Sequence, residues 1–268
     1  MTVPRAASYL FVPGNRPERY AKALSCGADA VIVDLEDAVP PAAKAAARDE
    51  LRQWLRGANA RVIVRVNAAE TSWFADDLAA CASPNVAAIM LPKADNPGDL
   101  AACARVAPHA RLLPLVETAA GFDALRSLVT VPGVERIVFG SIDFQLDLGI
   151  SGEGEELLFF RSQLVLASRL GGLAAPVDGV STEIQDAGIV QADAAKARRL
   201  GFGAKLCIHP SQVAPVNAAF RPTAQEVEWA RRVLDASARA EGAAAVVDGK
   251  MIDLPVVLRA RAILEQET

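Results

Sequence analysis

The feature that most constrains the fold is a rhythm of short apolar runs, each followed by a segment rich in Ala, Arg and Glu. The runs read as strands at residues 9–12, 30–35, 61–66, 87–91, 111–116, 136–139, about 176–179, and 204–208. They are apolar throughout rather than alternating, as expected of strands buried on both faces. Successive starts lie about 20 to 40 residues apart, the length of a strand, a helix and two short loops. Eight such units predict an α/β protein folded as a closed (β/α)8 TIM barrel, for which roughly 250 residues is usual. An open doubly wound sheet would place a Gly-rich fingerprint after the first strand. Here Val12-Pro13-Gly14-Asn15-Arg16 holds a single glycine.

Helix signals fall between the runs. Pro17 opens a segment that Gly27 closes, Pro40-Pro41 precedes a helical stretch over 42–55, and Asp76-Asp77 and Pro97-Gly98-Asp99 start two more. After Pro222 the chain turns helical, crosses 242–250 and ends in a helix over about 254–267. The expected organisation is a barrel over 1–221 and a C-terminal helical extension over 222–268. That extension carries Gly249-Lys250-Met251-Ile252-Asp253.

Composition narrows the function classes. The 268 residues are 52% hydrophobic with a formal net charge of −4, so no global basic field recruits nucleic acid or an anionic membrane. Cys26, Cys81, Cys103 and Cys207 are scattered and form no C-x-x-C pair, which favours reduced thiols over a disulfide framework or zinc site. No secretion signal and no uncharged span of roughly 20 apolar residues is present. A cytoplasmic protein is expected.

Barrel enzymes carry their chemistry at the carboxyl ends of the strands. The expected strand ends bear Asn15; Asp34, Glu36 and Asp37; Arg65 and Asn67; Lys93; Glu117; Asp143; and His209. Any one of these is explained equally well as the first solvated residue after a buried strand. Arg65, Glu117 and Asp143 together are harder to dismiss. Mg2+ is usually held by one or two carboxylates plus water and substrate, and Glu117 and Asp143 can supply those two. Arg65 offers a permanently charged fork to an anion such as a 2-keto acid. Glu36 and Asp37 are expected behind this trio, binding metal-bound water or orienting Arg65, and Asp34 stays open. Lys93 either balances the local negative charge or forms a Schiff base with a carbonyl substrate. Lys205, inside the last run, is expected to balance charge. His209 reads as a turn residue. Arg16, Arg19 and Lys22 form a small basic cluster where a phosphate-bearing tail can lie.

Several segments together resemble the citrate lyase β-subunit-like family, which includes citryl-CoA, malyl-CoA and citramalyl-CoA lyases. They are Ser8-Tyr9-Leu10-Phe11-Val12-Pro13-Gly14-Asn15, Val33-Asp34-Leu35-Glu36-Asp37-Ala38-Val39, Val64-Arg65-Val66-Asn67 and Leu91-Pro92-Lys93. Further along come Val116-Glu117-Thr118-Ala119-Ala120-Gly121, Phe139-Gly140-Ser141-Ile142-Asp143, Ile208-His209-Pro210-Ser211-Gln212 and Gly249-Lys250-Met251-Ile252-Asp253-Leu254-Pro255. They run in order from the first strand to the final helix. The resemblance implies a (β/α)8 barrel that uses Mg2+ to cleave a 3-hydroxyacyl-CoA thioester into acetyl-CoA and a 2-keto acid, oxaloacetate, pyruvate or glyoxylate. It implies Glu117 and Asp143 as metal ligands, Arg65 as the keto-acid and oxyanion partner, and backbone N–H groups of Ser141, Ile142 and Asp143 around the substrate carboxylate. Asp253 matches an acid that, in relatives, lies on a tail capping a neighbouring subunit's site and exchanges the acetyl methyl proton. A homo-oligomer, trimer or hexamer, follows, either alone or within a multi-subunit lyase. The other readings are a Schiff-base aldolase through Lys93 and a non-catalytic subunit that binds keto acid or CoA.

Overall fold

The computed structural model describes residues 6–239 and 245–267. The chain divides into two compact units, residues 1–217 and 218–268, and the division falls inside the helix Val213–Phe220.

The first unit is a closed barrel of eight parallel strands. They are β1 (Ser8–Pro13), β2 (Ala30–Asp34), β3 (Val62–Arg65), β4 (Val86–Leu91), β5 (Arg111–Val116), β6 (Val138–Phe139), β7 (Val177–Asp178) and β8 (Ala204–Cys207). Each pairs with the next, and β8 returns to β1 through Ser8↔Lys205, Tyr9↔Leu206 and Leu10↔Cys207. The expected strands are all present. Strands β6 and β7 shrink to two residues each, and each is followed by a glycine (Gly140 and Gly179) at which an added Cβ would meet a neighbouring side chain.

Side chains alternate between the barrel interior and the helix layer. Tyr9, Ile32, Ile63, Ala88, Met90, Leu113, Leu115, Val138, Val177, Ala204 and Leu206 fill the interior. Each large apolar chain buried there contributes roughly 1.5–3 kcal/mol. At the amino-terminal end Arg136 closes the barrel: Nη1 donates to Ala6 O (2.9 Å) and Tyr9 Oη (3.1 Å), and Nε donates to Ala175 O (2.6 Å).

The helices pack their apolar faces outside the strands. In Lys44–Gly57 the buried positions Lys44, Ala47, Arg48, Leu51 and Leu55 recur at the helical period. Asn96, Thr118 and Asp186 cap the helices that follow β4, β5 and β7, each accepting from an N–H of the first turn. All four cysteines are free, and among the described residues no helix is long and apolar enough to cross a membrane.

The second unit holds two helices, Ala224–Arg239 and Leu254–Leu264, with an antiparallel hairpin between them formed by β9 (Ala245–Val247) and β10 (Lys250–Ile252). Sequence reading expected a crossing over 242–250 between two helices and assigned no strand to it. The missed signal is Asp248-Gly249, whose positive φ values of 51° and 74° suit a two-residue hairpin turn. Val227, Ala230, Val233, Val247, Ile252, Val257, Ala260 and Ile263 form this unit's own core.

Candidate active site

The interior alternation continues past the core into the site. Ile32 leads to Asp34 and Glu36, Ile63 to Arg65, Leu115 to Glu117, and Val138 to Gly140. One open pocket of about 330 Å³ at the carboxyl end is lined by Arg65, Glu117, Ser141, Ile142 and Asp143 against an apolar wall that includes Phe11, Leu115, Phe139, Val180 and Leu206. The structure thus brings together the expected arginine, both carboxylates and the segment 141–143.

Arg65 is buried with its guanidinium 4.8 Å from the Phe11 ring centroid. Its donors are largely committed. Nε donates to Asp34 Oδ1 (2.7 Å) and Nη2 to Asp34 Oδ2 (2.6 Å), a two-pronged pair. Nη1 lies 3.0 Å from Glu36 Oε2 and 3.5 Å from Asp37 Oδ2. Three of the five guanidinium N–H groups have hydrogen-bond acceptors among the described residues, two on Asp34 and one, at 3.5 Å, on Asp37; Glu36 Oε2 lies close enough to pair in charge but accepts no hydrogen bond. Burial opposes the Arg65 charge, but Asp34, Glu36 and Asp37 more than restore it.

Asp34 is the principal partner of Arg65, and it also accepts from Glu36 N (2.9 Å) and Ala38 N (3.0 Å). Its inward parity with Ile32 is the signal that could have singled it out. Glu36 is buried and bridges Arg65 to Lys93, whose Nζ donates to Glu36 Oε1 at 3.0 Å. Asp37 is largely exposed. Burial, reinforced by Asp37, pushes the Glu36 carboxyl above its usual range against the pull of Arg65 and Lys93.

Glu117 is 2% exposed, and among the described residues its one hydrogen-bond donor is the Lys93 backbone N–H, 2.9 Å from Oε1. Lys93 reaches that position with φ of 47°, a left-handed backbone that a side chain disfavours. Burial first, then the fields of Glu36 and Asp143, raise Glu117 to about 8. Gly140 lets Glu117 sit this close, since a Cβ there would lie 2.5 Å from Glu117 Cβ and Oε2. Asp143 occupies the first turn of the helix Ser141–Leu148, whose N-cap, Gly140, provides no side-chain cap. The first N–H groups of that helix are left to the pocket.

The charges do not balance. Asp34, Glu36, Asp37, Glu117 and Asp143 gather around Arg65, Lys93 and the buried Lys44, leaving two negative charges uncompensated when all are ionised. Lys44 sits behind the cluster, donating to Leu35 O (2.9 Å) and Glu36 O (2.8 Å). One divalent cation offsets that excess. Glu117 and Asp143 are the oxygen donors that face the pocket. Among the described residues no group of three or more His, Cys, Asp or Glu is arranged to hold a metal. Two carboxylates plus substrate is the pattern that suits Mg2+.

Other expected residues of the first unit lie apart from this pocket. Lys93 Nζ points to Glu36, and its partners more than offset burial to keep it protonated. Arg16 and Arg19 are exposed and turned toward Glu18, and Lys22 is exposed on the next helix. Asn67 binds Asp77 and Leu35 O beneath the strand end. His209 caps the turn Pro210–Gln212 with its ring, the structural role expected of it. Lys205 pairs with Asp178 and Gly179 O, not with the pocket acids. Asp253 belongs to the second unit, exposed, where its side chain accepts from Val256 N and caps the helix Leu254–Leu264.

Comparison with known proteins agrees with this geometry. The family described as HpcH/HpaI aldolase/citrate lyase matches residues 7–210. The chain belongs to that family. As a member it is an enzyme on a lyase-family barrel. It is 40% identical to a citrate lyase subunit beta-like protein of Deinococcus radiodurans, over 97% of this chain and 96% of the relative. It is 36% identical to a (3S)-malyl-CoA thioesterase of Cereibacter sphaeroides, over 96% and 93%. Among solved structures of the family, Mycobacterium tuberculosis CitE, crystallised with magnesium, acetoacetate and coenzyme A, superposes with a TM-score of 0.87 at 36% identity. It covers 98% of this chain and 99% of that one.

Proposed function

We propose that the protein is an Mg2+-dependent carbon–carbon lyase that cleaves a 3-hydroxyacyl-CoA, of the citryl-CoA or citramalyl-CoA type, into acetyl-CoA and a 2-keto acid. The observation that carries the reading is the carboxylate pair Glu117 and Asp143 on one wall of a pocket that Arg65 also lines. Crystal structures of the M. tuberculosis relative with magnesium and coenzyme A, with pyruvate and with oxaloacetate support it.

Glu117 and Asp143 would hold the magnesium ion, which supplies Lewis acidity at the reacting oxygen when bound. An Arg65 guanidinium N–H donates to that oxygen, where charge gathers as the 3-hydroxyl gives its proton to solvent water at the open mouth of the pocket. The N–H groups of Ser141, Ile142 and Asp143 receive the substrate carboxylate. Phe11, Leu115, Phe139 and Leu206 keep water from the breaking bond. The alkoxide closes to the keto carbonyl as the bond between its carbon and the acetyl methylene opens, the electron pair of the broken bond goes to the acetyl-CoA enolate, and Asp253 in its protonated form gives its proton to the enolate carbon. Asp253 acts in this scheme from the tail of a neighbouring subunit in a homo-oligomer, and Arg16, Arg19 and Lys22 face the CoA phosphates.

The test is to supply citryl-CoA, malyl-CoA and citramalyl-CoA with Mg2+ and to follow both products. Keto acid and acetyl-CoA should appear together, stop with EDTA and resume with Mg2+. Free CoA thiol without keto acid would place the chain with its thioesterase relatives and overturn the lyase reading. Turnover that survives EDTA and is trapped by borohydride would assign the chemistry to Lys93. Mixing Asp253→Asn with Glu117→Ala subunits should restore part of the activity that each lacks alone, if the tail serves a neighbour's site.

A further inference from the structure

Asp147 lies one helical turn beyond Asp143 on Ser141–Leu148, exposed and outside the pocket. Its Oδ2 accepts from the backbone N–H of Ala119 at 2.7 Å, a charge-assisted hydrogen bond between segments 28 residues apart. Ala119 is the first residue of the helix Ala119–Asp123, two positions after Glu117. The carboxylate therefore ties the helix carrying Asp143 to the segment carrying Glu117. Two further contacts join these segments. Gly140 N donates to Val116 O (3.0 Å), and the Phe122 and Phe144 rings lie 5.8 Å apart. Gly140 and Glu117 already approach so closely that no Cβ fits between them.

We infer that Asp147 is a positioning residue that sets the separation of Glu117 and Asp143, and through it the affinity and size preference of the divalent-cation site. The inference rests on the proposal that those two carboxylates hold Mg2+. Mg2+ requires oxygens at about 2.0–2.1 Å in near-ideal octahedral geometry, whereas Ca2+ tolerates about 2.3–2.6 Å and irregular coordination. A clamp that holds two carboxylates close favours the smaller ion. Loss of the clamp costs Mg2+ more than Ca2+. Groups that orient metal ligands without touching the metal typically change affinity about 10- to 100-fold.

Two substitutions remove the same hydrogen bond from opposite ends. Asp147→Ala deletes the acceptor at an exposed position. Ala119→Pro deletes the donor at the first position of a helix, where proline's fixed φ is accepted, after Thr118 in the extended conformation that a following proline requires. Asp147→Asn keeps an acceptor oxygen and is the rescue variant.

The experiment measures Mn2+ binding to full-length protein by electron paramagnetic resonance, with Mg2+ and Ca2+ as competitors, and needs no turnover. Asp147→Ala and Ala119→Pro should each weaken Mg2+ about 10-fold or more, with a smaller loss for Ca2+. The double variant should lose no more than the worse single, and Asp147→Asn should stay within about threefold of wild type. Unchanged Mg2+ affinity in both single variants, or equal losses for Mg2+ and Ca2+, overturns the inference. Glu117→Ala and Asp143→Ala serve as controls. If they abolish Mn2+ binding while the Asp147 and Ala119 variants match wild type, only the positioning role fails. If they bind Mn2+ normally, the metal-site reading fails and this inference with it.

Discussion

Two buried carboxylate clusters sit at strand ends of the same barrel, and they resolve their charge in opposite ways. At the end of β7, Asp178 accepts from Arg161 Nε at 2.9 Å and lies 3.7 Å from Lys205 Nζ, while Arg161 also donates to Glu153 O and Lys205 to Gly179 O. Each of these cations has a protein acceptor. At the ends of β2, β3 and β5 the carboxylates outnumber the cations, and Glu117 is left with one neutral donor. Strand parity separates the two. Val177 faces the barrel interior, so Asp178 faces the helix layer, whereas Glu117 follows Leu113 and Leu115 inward. The outward Asp178 closes a structural joint and the inward Asp34 is taken by Arg65, whereas the inward Glu117 is left facing the pocket.

The largest effect that can break this contrast is on turnover. Glu117→Ala or Asp143→Ala should lower Mg2+-dependent cleavage about 10^2- to 10^3-fold or more. Asp178→Asn should leave kcat of the folded protein within about threefold. Equal losses for both clusters in a steady-state assay would erase the distinction.

The reverse holds for stability. Removing one partner of a buried ion pair leaves the others uncompensated, so Asp178→Ala should cost about 3–5 kcal/mol in urea unfolding. Glu117→Gln should cost far less, because Lys93 offsets less of that charge than burial and the neighbouring acids oppose.

A third prediction concerns pH. Folding raises the Glu117 carboxyl from 4.5 to about 8 and raises Glu36 as well. The stability linked to these raised values is fully present below the unfolded value and is lost as pH climbs through the folded one. The metal-free protein should therefore lose melting temperature between about pH 5 and 8, and Glu117→Gln should flatten the slope. Mg2+ competes with the proton on Glu117, so its affinity should rise over the same interval, measurable by titration calorimetry.

Much of this was legible in the sequence, because a strand buried on both faces must be apolar throughout, and eight such runs at βα spacing leave few architectures. Arg65, Glu117 and Asp143 stood out as charges where those runs stop. Asp34 did not, since its role depends on pairing β2 against β3 in the register Asp34↔Arg65. Arg161, Lys44 and Asp147 were invisible for a related reason. Each acts on a partner 8 to 28 residues away, brought near only by the closed barrel.

The smallest expected effect is at Lys93. Lys93→Gly relieves the left-handed backbone, which costs a side chain about 1–2 kcal/mol, but removes the ion pair with Glu36. The two changes oppose each other, so stability should move by less than about 1 kcal/mol, and the N–H that meets Glu117 is kept. Cleavage should persist at a tenth of wild type or more; a Schiff-base enzyme would lose all of it.

Arg136, bonded across the amino-terminal end to Ala6, Tyr9 and Ala175, makes the barrel a blind alley. Whatever enters first must leave last. In the proposed reaction the keto acid lies deepest and the CoA portion sits above it, so acetyl-CoA departs before the keto acid. Kinetically that is an ordered release, in which the keto acid competes with the thioester for free enzyme and acetyl-CoA does not.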